Sequence, residues 1–485
     1  MAGEASDRFR VDFARLVRRL LEESSDREAP VSGPIREHLG GGVEALPVHG
    51  EELPDYEIAN LQLGLDAAFS RPGFSARILG VSGQGRMFSH TTLSDLLMGS
   101  HFAVGPPEYV HAPVGPGRTL ACLAWGLLLV DTPDGPLVVF VRRGEEHGPM
   151  PGLMVQAVGR DPEAAPRFIS DLRTLMEEHD VFRGQVIAIE ADRRGSRRVV
   201  FLERPSISAD ELVLPEGLLD RVERHVVVPT QHRSQLVARG RHLGRGVLLW
   251  GPPGTGKTLT VRYLTGRLTE ATVIVLSGPS LGMVGAFGNL ARRLEPAVVV
   301  LEDVDLVAQE RTFGPFGSSP VLFELMDEMS GHAEDADVAF VLTTNRPDAL
   351  EPALAARPGR VDLAVEIPLP DASARRKLLD LYARGLELQD VDLDSIADRT
   401  EGMTASFFKE LLRKGTLVSV AAGRDRVTAA DLETALEELL SNTSALTRVL
   451  LGSGEPNAAQ QLSPHEWMHA QPGQATARIT TRRLH

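Results

Sequence analysis

Short apolar runs recur along the middle of this chain, at Val247 to Trp250, Thr272 to Leu276, Val298 to Leu301, Val338 to Leu342 and Val361 to Ile367. The first four do not alternate with polar residues, so each predicts a strand buried on both faces, and Val361 to Ile367, interrupted by Asp362 and Glu366, also reads as a short buried strand. Helical stretches separate them, which predicts a parallel sheet flanked by helices. From Ser373 to Leu440 the apolar spacing is purely helical, and Thr428-Ala429-Ala430-Asp431 reads as a capping box before the last helix.

Upstream, to about Glu203, the periodicities are mixed. Val11 to Leu21 repeats apolar residues at helical spacing, and a Gly-rich connection through Gly40-Gly41-Gly42 follows. Leu120 to Val130 and Leu137 to Val141 flank the turn signal Asp131-Thr132-Pro133-Asp134-Gly135 and predict a hairpin. Leu153 to Val158 reads as a strand, Ala164 to Glu178 as an amphipathic helix, and Gln185 to Ile189 and Val199 to Leu202 as two more strands. The polar connection Pro205 to Asp210 is expected to end this region. After about Ser441 the chain becomes polar and rich in Gln, Thr, Pro and Gly, and a disordered tail is expected. The expected division is an N-terminal recognition or regulatory domain over 1–205, a nucleotide-binding unit over 206–370, a helical lid over 371–442 and a flexible tail over 443–485. The fold class is α/β, preceded by a separate α/β or α+β domain.

With 485 residues and 42% hydrophobic content, the chain is long enough for several cored domains. The formal charge of −15 disfavours nucleic acid as a partner, because no overall basic field is present. A single cysteine, Cys122, excludes an intramolecular disulfide and fits a reducing compartment. No secretory signal is visible at the N-terminus, and the longest apolar run is too short to span a bilayer. A cytoplasmic protein is expected.

Chemistry enters directly after the strand at Val247 to Trp250. The run Gly251-Pro252-Pro253-Gly254-Thr255-Gly256-Lys257-Thr258 completes the G-x-x-x-x-G-K-[ST] pattern of a phosphate-binding loop, and Leu259 continues it into a helix. Glycines let the backbone curl until successive N–H groups point at one anion, and the following helix adds the positive end of its dipole. Lys257 would reach the β- and γ-phosphates of ATP, and Thr258 would ligate Mg²⁺ through its hydroxyl. The strand Val298 to Leu301 then ends in Glu302-Asp303. A Mg·ATP site needs one acid for the metal and its water shell, here Glu302, and often a second to orient the attacking water, here Asp303. Another strand end carries Thr343-Thr344-Asn345-Arg346-Pro347, and Ala356-Arg357-Pro358-Gly359-Arg360 follows.

In this order the motifs resemble the AAA family of ATPases over roughly Leu212 to Leu440. The resemblance implies that Asn345 is the sensor amide that positions the hydrolytic water, and that Arg357 and Arg360 are arginine fingers reaching a neighbouring subunit's site. It also implies a ring, commonly a hexamer, acting on a protein substrate or adaptor through the N-terminal domain.

The chain departs from the family pattern at three places. The acids run Glu302-Asp303 where the usual order is Asp-Glu. The expected pore loop has Met283-Val284-Gly285 where an aromatic residue is typical, and Phe313-Gly314-Pro315-Phe316-Gly317 falls where a second pore loop is expected. The lid turn Thr400 to Ser406 matches only loosely, with no arginine at the turn.

Two further patterns compete. His465-Glu466-Trp467-Met468-His469 fits the H-E-x-x-H zinc protease pattern, but Pro464 and Pro472 leave barely two helical turns. Gly278-Pro279-Ser280-Leu281-Gly282 fits the G-x-S-x-G nucleophile elbow, but its strand belongs to the nucleotide-binding sheet. The reading that remains is an ATP-hydrolysing remodelling enzyme, with a slow-turnover nucleotide switch or scaffold as the alternative and a DNA-directed motor third.

Overall fold

The computed structural model describes residues 30–82, 91–98, 102–144, 152–191, 197–308, 336–348 and 361–440. The helix expected at Val11 to Leu21, the Phe313 to Gly317 segment, Arg357, Arg360, the H-E-x-x-H run and the tail lie outside them.

An antiparallel sheet occupies the first part of the chain. Its strands are β1 (His49–Leu53), β2 (Ser75–Ser82), β3 (Ala103–Gly105), β4 (Glu108–Gly115), β5 (Arg118–Thr132), β6 (Gly135–Arg143) and β7 (Leu153–Gly159), in the order β1-β7-β6-β5-β2-β3 with β4 also paired to β5. The expected hairpin is β5–β6. Thr132 Oγ1 donates to the Gly135 carbonyl at 2.7 Å and accepts from the Asp134 N–H at 3.2 Å, which closes the turn. Both faces of the sheet are covered, which is why the apolar runs of β5 and β6 do not alternate. Helices α1 (Ser32–Leu39) and α3 (Leu93–Met98) bury Trp125 and Phe140, while α2 (Ile58–Phe69) and α4 (Ala164–Glu178) bury Leu128 and Val139.

The second sheet contains β8 (Val186–Ala191), β9 (Arg197–Leu202), β10 (Arg245–Trp250), β11 (Thr272–Ser277), β12 (Ala297–Glu302), β13 (Val338–Thr344) and β14 (Leu363–Glu366), in the order β14-β10-β13-β12-β11-β8-β9. All pairings are parallel except β8 with β9. Helices α5 (Leu218–Gln231) and α6 (Lys257–Arg267) cover one face, and α7 (Val284–Arg293) covers the other.

The strands at Gln185–Ile189 and Val199–Leu202, expected upstream of a boundary at 205, are β8 and β9 and extend this second sheet. β8 pairs in parallel with β11, Val186 opposite Val273, and Val186, Ile187 and Ile189 are all buried. A strand apolar on both sides is satisfied inside a parallel sheet and poorly at the rim of an antiparallel one. Arg204, just past β9, locks the arrangement by donating to the carbonyls of Thr265 at 2.8 Å and Leu268 at 2.6 Å, at the C-terminal end of α6, and to those of Gly184 and Ala271. Cation and helix C-terminus are complementary.

The two sheets are clasped together at the end of α7. Arg293 Nη2 lies 2.6 Å from Glu57 Oε1 and 2.9 Å from Asp180 Oδ2, both carboxylates being buried. The Tyr56 ring centroid is 5.7 Å from that of Phe287.

The lid comprises α8 (Ala372–Ala383), α9 (Leu393–Arg399), α10 (Ala405–Ala421) and α11 (Ala429–Leu440) around a core that includes Phe407, Phe408 and Leu436. It is not purely helical, because Leu388–Gln389 and Val427–Thr428 form a short parallel pair. The capping box is present, the Thr428 N–H donating to Asp431 Oδ2 at 2.9 Å and the Asp431 N–H to Thr428 Oγ1 at 3.4 Å.

Candidate nucleotide site

β10 ends at Trp250 and α6 begins at Lys257, so the glycine-rich run is the strand-to-helix turn that the sequence predicts. Gly251, at φ 148°, passes so close to β14 that an added Cβ would stand 2.2 Å from the Ile367 carbonyl oxygen. Gly256, at φ 111°, sits immediately before the helix, where a side chain would be strained. The loop is stiffened internally, with Thr255 Oγ1 donating to the Pro252 carbonyl at 2.9 Å. Lys257 Nζ donates to the carbonyls of Gly251 and Pro252 at 2.9 and 2.8 Å. An arriving phosphate exchanges those neutral partners for charge-assisted bonds. Burial lowers the Lys257 ammonium to about 8, against the opposing charges of Asp303 and Asp305.

Glu302 closes β12 beside α6 and hydrogen-bonds with Thr258. Burial raises its carboxyl above the ordinary value, with that hydrogen bond opposing, and its buried Oε1 has no hydrogen-bond partner. An unpartnered carboxylate oxygen next to a threonine hydroxyl fits a hard divalent cation, so the residues present suit Mg²⁺.

Asp303 has φ 53°, the left-handed region, and turns the chain sharply off the strand. Its N–H donates to Thr343 Oγ1 at 3.0 Å, and the Val304 N–H donates to the Thr343 carbonyl at 3.0 Å. Asn345 stands at the neighbouring strand end, its Nδ2 donating to Asp303 Oδ1 at 3.4 Å. The second acid and the amide, 42 positions apart in sequence, thus meet.

A cleft of about 450 Å³ joins these parts, lined on the loop side by Gly254, Lys257, Thr258, Asp303 and Asn345. Sequence reasoning missed the remaining wall. It includes Glu211 to Leu214 from the connection after β9, and Tyr382, Ser406 and Lys409 from the lid. Only Ser406 had a sequence signal, since it lies in the loosely matching lid turn. Its N–H and its Oγ both donate to the Gly254 carbonyl, at 3.1 and 3.3 Å.

The competing elbow motif is a cap and not a nucleophile. Ser280 is 1% exposed, and its Oγ accepts from the Ser277 N–H and donates to the Ser277 carbonyl. In the expected pore loop Val284 is fully buried and Met283 packs partly on the sheet core, so both pack against their own domain. Among the described residues there is no group of three or more His, Cys, Asp or Glu that could hold a metal ion, and no helix is long and apolar enough to cross a membrane.

Comparison with known proteins agrees with the geometry. Residues 247–369 match the model of the ATPase family associated with various cellular activities (AAA). The proteasome-activating nucleotidase of Thermococcus onnurineus is 28% identical over 330 residues, 63% of this chain and 79% of the relative. The proteasome-activating nucleotidase of Methanocaldococcus jannaschii is 31% identical over 252 residues, 49% of this chain and 58% of the relative. The ATP-dependent zinc metalloprotease FtsH of Thermus thermophilus is 31% identical over 291 residues, 57% of this chain and 45% of the relative.

Proposed function

We propose that this chain, which carries an AAA ATPase domain homologous to those of proteasome-activating nucleotidases and FtsH, couples hydrolysis of Mg·ATP in a ring of subunits to the remodelling or unfolding of a protein substrate. One observation supports this reading above the others. Lys257, Thr258, Asp303 and Asn345 line a single cleft, Glu302 hydrogen-bonds Thr258 at its edge, and the lid is bonded to the phosphate loop.

In this proposal the N–H groups of the loop and Lys257 hold the phosphates, while Thr258 and Glu302 hold Mg²⁺. The bound ion neutralises charge on the transferring phosphoryl group. Asp303 and Asn345 orient the attacking water, and Arg357 and Arg360 complete the site from the next subunit. The ring is proposed as a hexamer that receives its substrate or adaptor through the N-terminal sheet domain, in a cytoplasmic setting.

The second reading, a slow switch or scaffold, has a specific observation in its favour. Asp303, a methylene shorter than glutamate, is hydrogen-bonded to the very amide expected to share its water. Phosphate release decides between them. Turnover by the purified chain, abolished in Lys257→Ala and reduced at least about 100-fold in Asp303→Asn with ATP still bound, supports the enzyme. No release above background, with ATP binding intact in the wild type and lost in Lys257→Ala, establishes the switch.

A further inference from the structure

Two strand ends meet at the cleft, and the bonds between them are more numerous than an amide and an acid in contact require. Beyond the bonds of Thr343 to Asp303 and Val304, a second set runs from Asp305. Its Oδ1 accepts from Thr344 Oγ1 at 2.8 Å and from the Asn345 backbone N–H at 3.2 Å. Thr344 Oγ1 in turn accepts from the Arg346 N–H at 2.9 Å. Asp305 is 4% exposed and Thr344 is fully buried, and neither lines the cleft. A buried carboxylate is costly, and it persists where hydrogen bonds hold it in one place.

Resting on the ATPase reading above, we infer that Asp305 is a positioning residue for hydrolysis: through Thr344 it clamps the backbone at the end of β13 so that the Asn345 amide stays beside Asp303 in the cleft. β13 ends at Thr344, and beyond it the Asn345 backbone has left the sheet ladder. Without the Asp305 oxygen, the Asn345 N–H and the Thr344 hydroxyl lose their partner together, and the side chain that shares the water loses its anchor. Displacement by about 1 Å at such a point costs on the order of 100-fold in rate. Asp305 also lies near enough to Lys257 to act on it by charge, so a test has to separate hydrogen bonding from charge.

Both bonds from the β13 end go to a single oxygen, and asparagine retains an accepting oxygen while removing the charge. In the full-length chain, Asp305→Ala and Thr344→Val are expected to lower kcat about 10- to 100-fold. ATP affinity and KM should stay within about threefold of wild type in both. Asp305→Asn and Thr344→Ser should retain kcat to within about threefold, and the double variant Asp305→Ala/Thr344→Val should lose no more than either single variant.

An Asn variant as impaired as the Ala variant, a loss that appears in ATP affinity, or additive losses would each overturn the inference. Thr344→Val and Thr344→Ser carry the test if Asp305→Ala fails to fold. If the wild type itself releases no phosphate, the hydrolysis reading fails separately. The position of the Asn345 amide in a nucleotide-bound crystal structure of Thr344→Val then decides the clamp: displaced supports it, unmoved refutes it.

Discussion

The Ser406 N–H, at the start of lid helix α10, donates to the carbonyl of Gly254 in the phosphate loop at 3.1 Å. Lid and loop are therefore directly bonded, and a change at the phosphates is expected to be passed to α10. Ser406 is in the first helical turn, where proline is tolerated, so Ser406→Pro removes both donors to the Gly254 carbonyl, the N–H and the hydroxyl, while leaving the helix. A neutral hydrogen bond of this kind contributes about 0.5–1.5 kcal/mol, so ATP binding measured by calorimetry should weaken about two- to tenfold. Unchanged affinity would show that the bond does not couple the two.

Lys257 gives the site a pH dependence with a definite sign. Burial holds its ammonium at about 8, and a bound triphosphate raises it again by adding negative charge. Above that pH, ATP binding takes up a proton, and affinity should fall towards tenfold per pH unit. Calorimetry at about pH 8.5 in buffers of different ionisation enthalpy reads the uptake directly. For the unliganded protein the linkage runs the other way. Between about 8 and the ordinary lysine value of 10.5 the unfolded chain binds more protons at this residue, so its contribution to stability rises with pH through that window.

The arginine pair is tested by complementation. Arg360→Ala should lower turnover on the order of 1,000-fold, and mixing with Lys257→Ala subunits should restore part of it, since each variant supplies the half-site the other lacks. A fully active monomer would end the idea of a finger supplied in trans.

Arg293 is the counter-charge for two buried carboxylates, Glu57 and Asp180, and it joins the N-terminal sheet to the end of α7. Arg293→Ala leaves both acids buried without that partner and should destabilise the chain by about 3–5 kcal/mol in urea unfolding. A shift below about 1 kcal/mol, as for an exposed pair, would mean that the clasp opens to water.

The parts proposed to be catalytic were readable in the sequence wherever their chemistry is written in adjacent residues. The loop Gly251 to Thr258, the strand end Glu302-Asp303 and Asn345 each announce themselves by a strand followed by a polar or glycine-rich end, and the structure brings Lys257, Thr258, Asp303 and Asn345 to one cleft with Glu302 bonded to Thr258 at its edge. What escaped depends on distant partners. Asp305 stands two residues beyond Asp303 and carries no signal of its own in the sequence, because its partners come from the end of β13. Ser406 and Lys409 join the cleft only through the lid's fold. Likewise the place of β8 depends on its neighbour β11, which lies beyond the phosphate loop in sequence.

That pairing of Val186 with Val273 also bears on how such a chain is assembled by recombination. A crossover at residue 205 would deliver an ATPase whose β11 edge is bare, and would leave the donor with an orphan hairpin presenting Ile187 and Ile189 to water. Only a cut upstream of Val186 exchanges whole sheets, and even there the newcomer must bring acids to meet Arg293. The N-terminal unit and the second sheet are thus fitted parts, and exchange of one without the other is expected to fail.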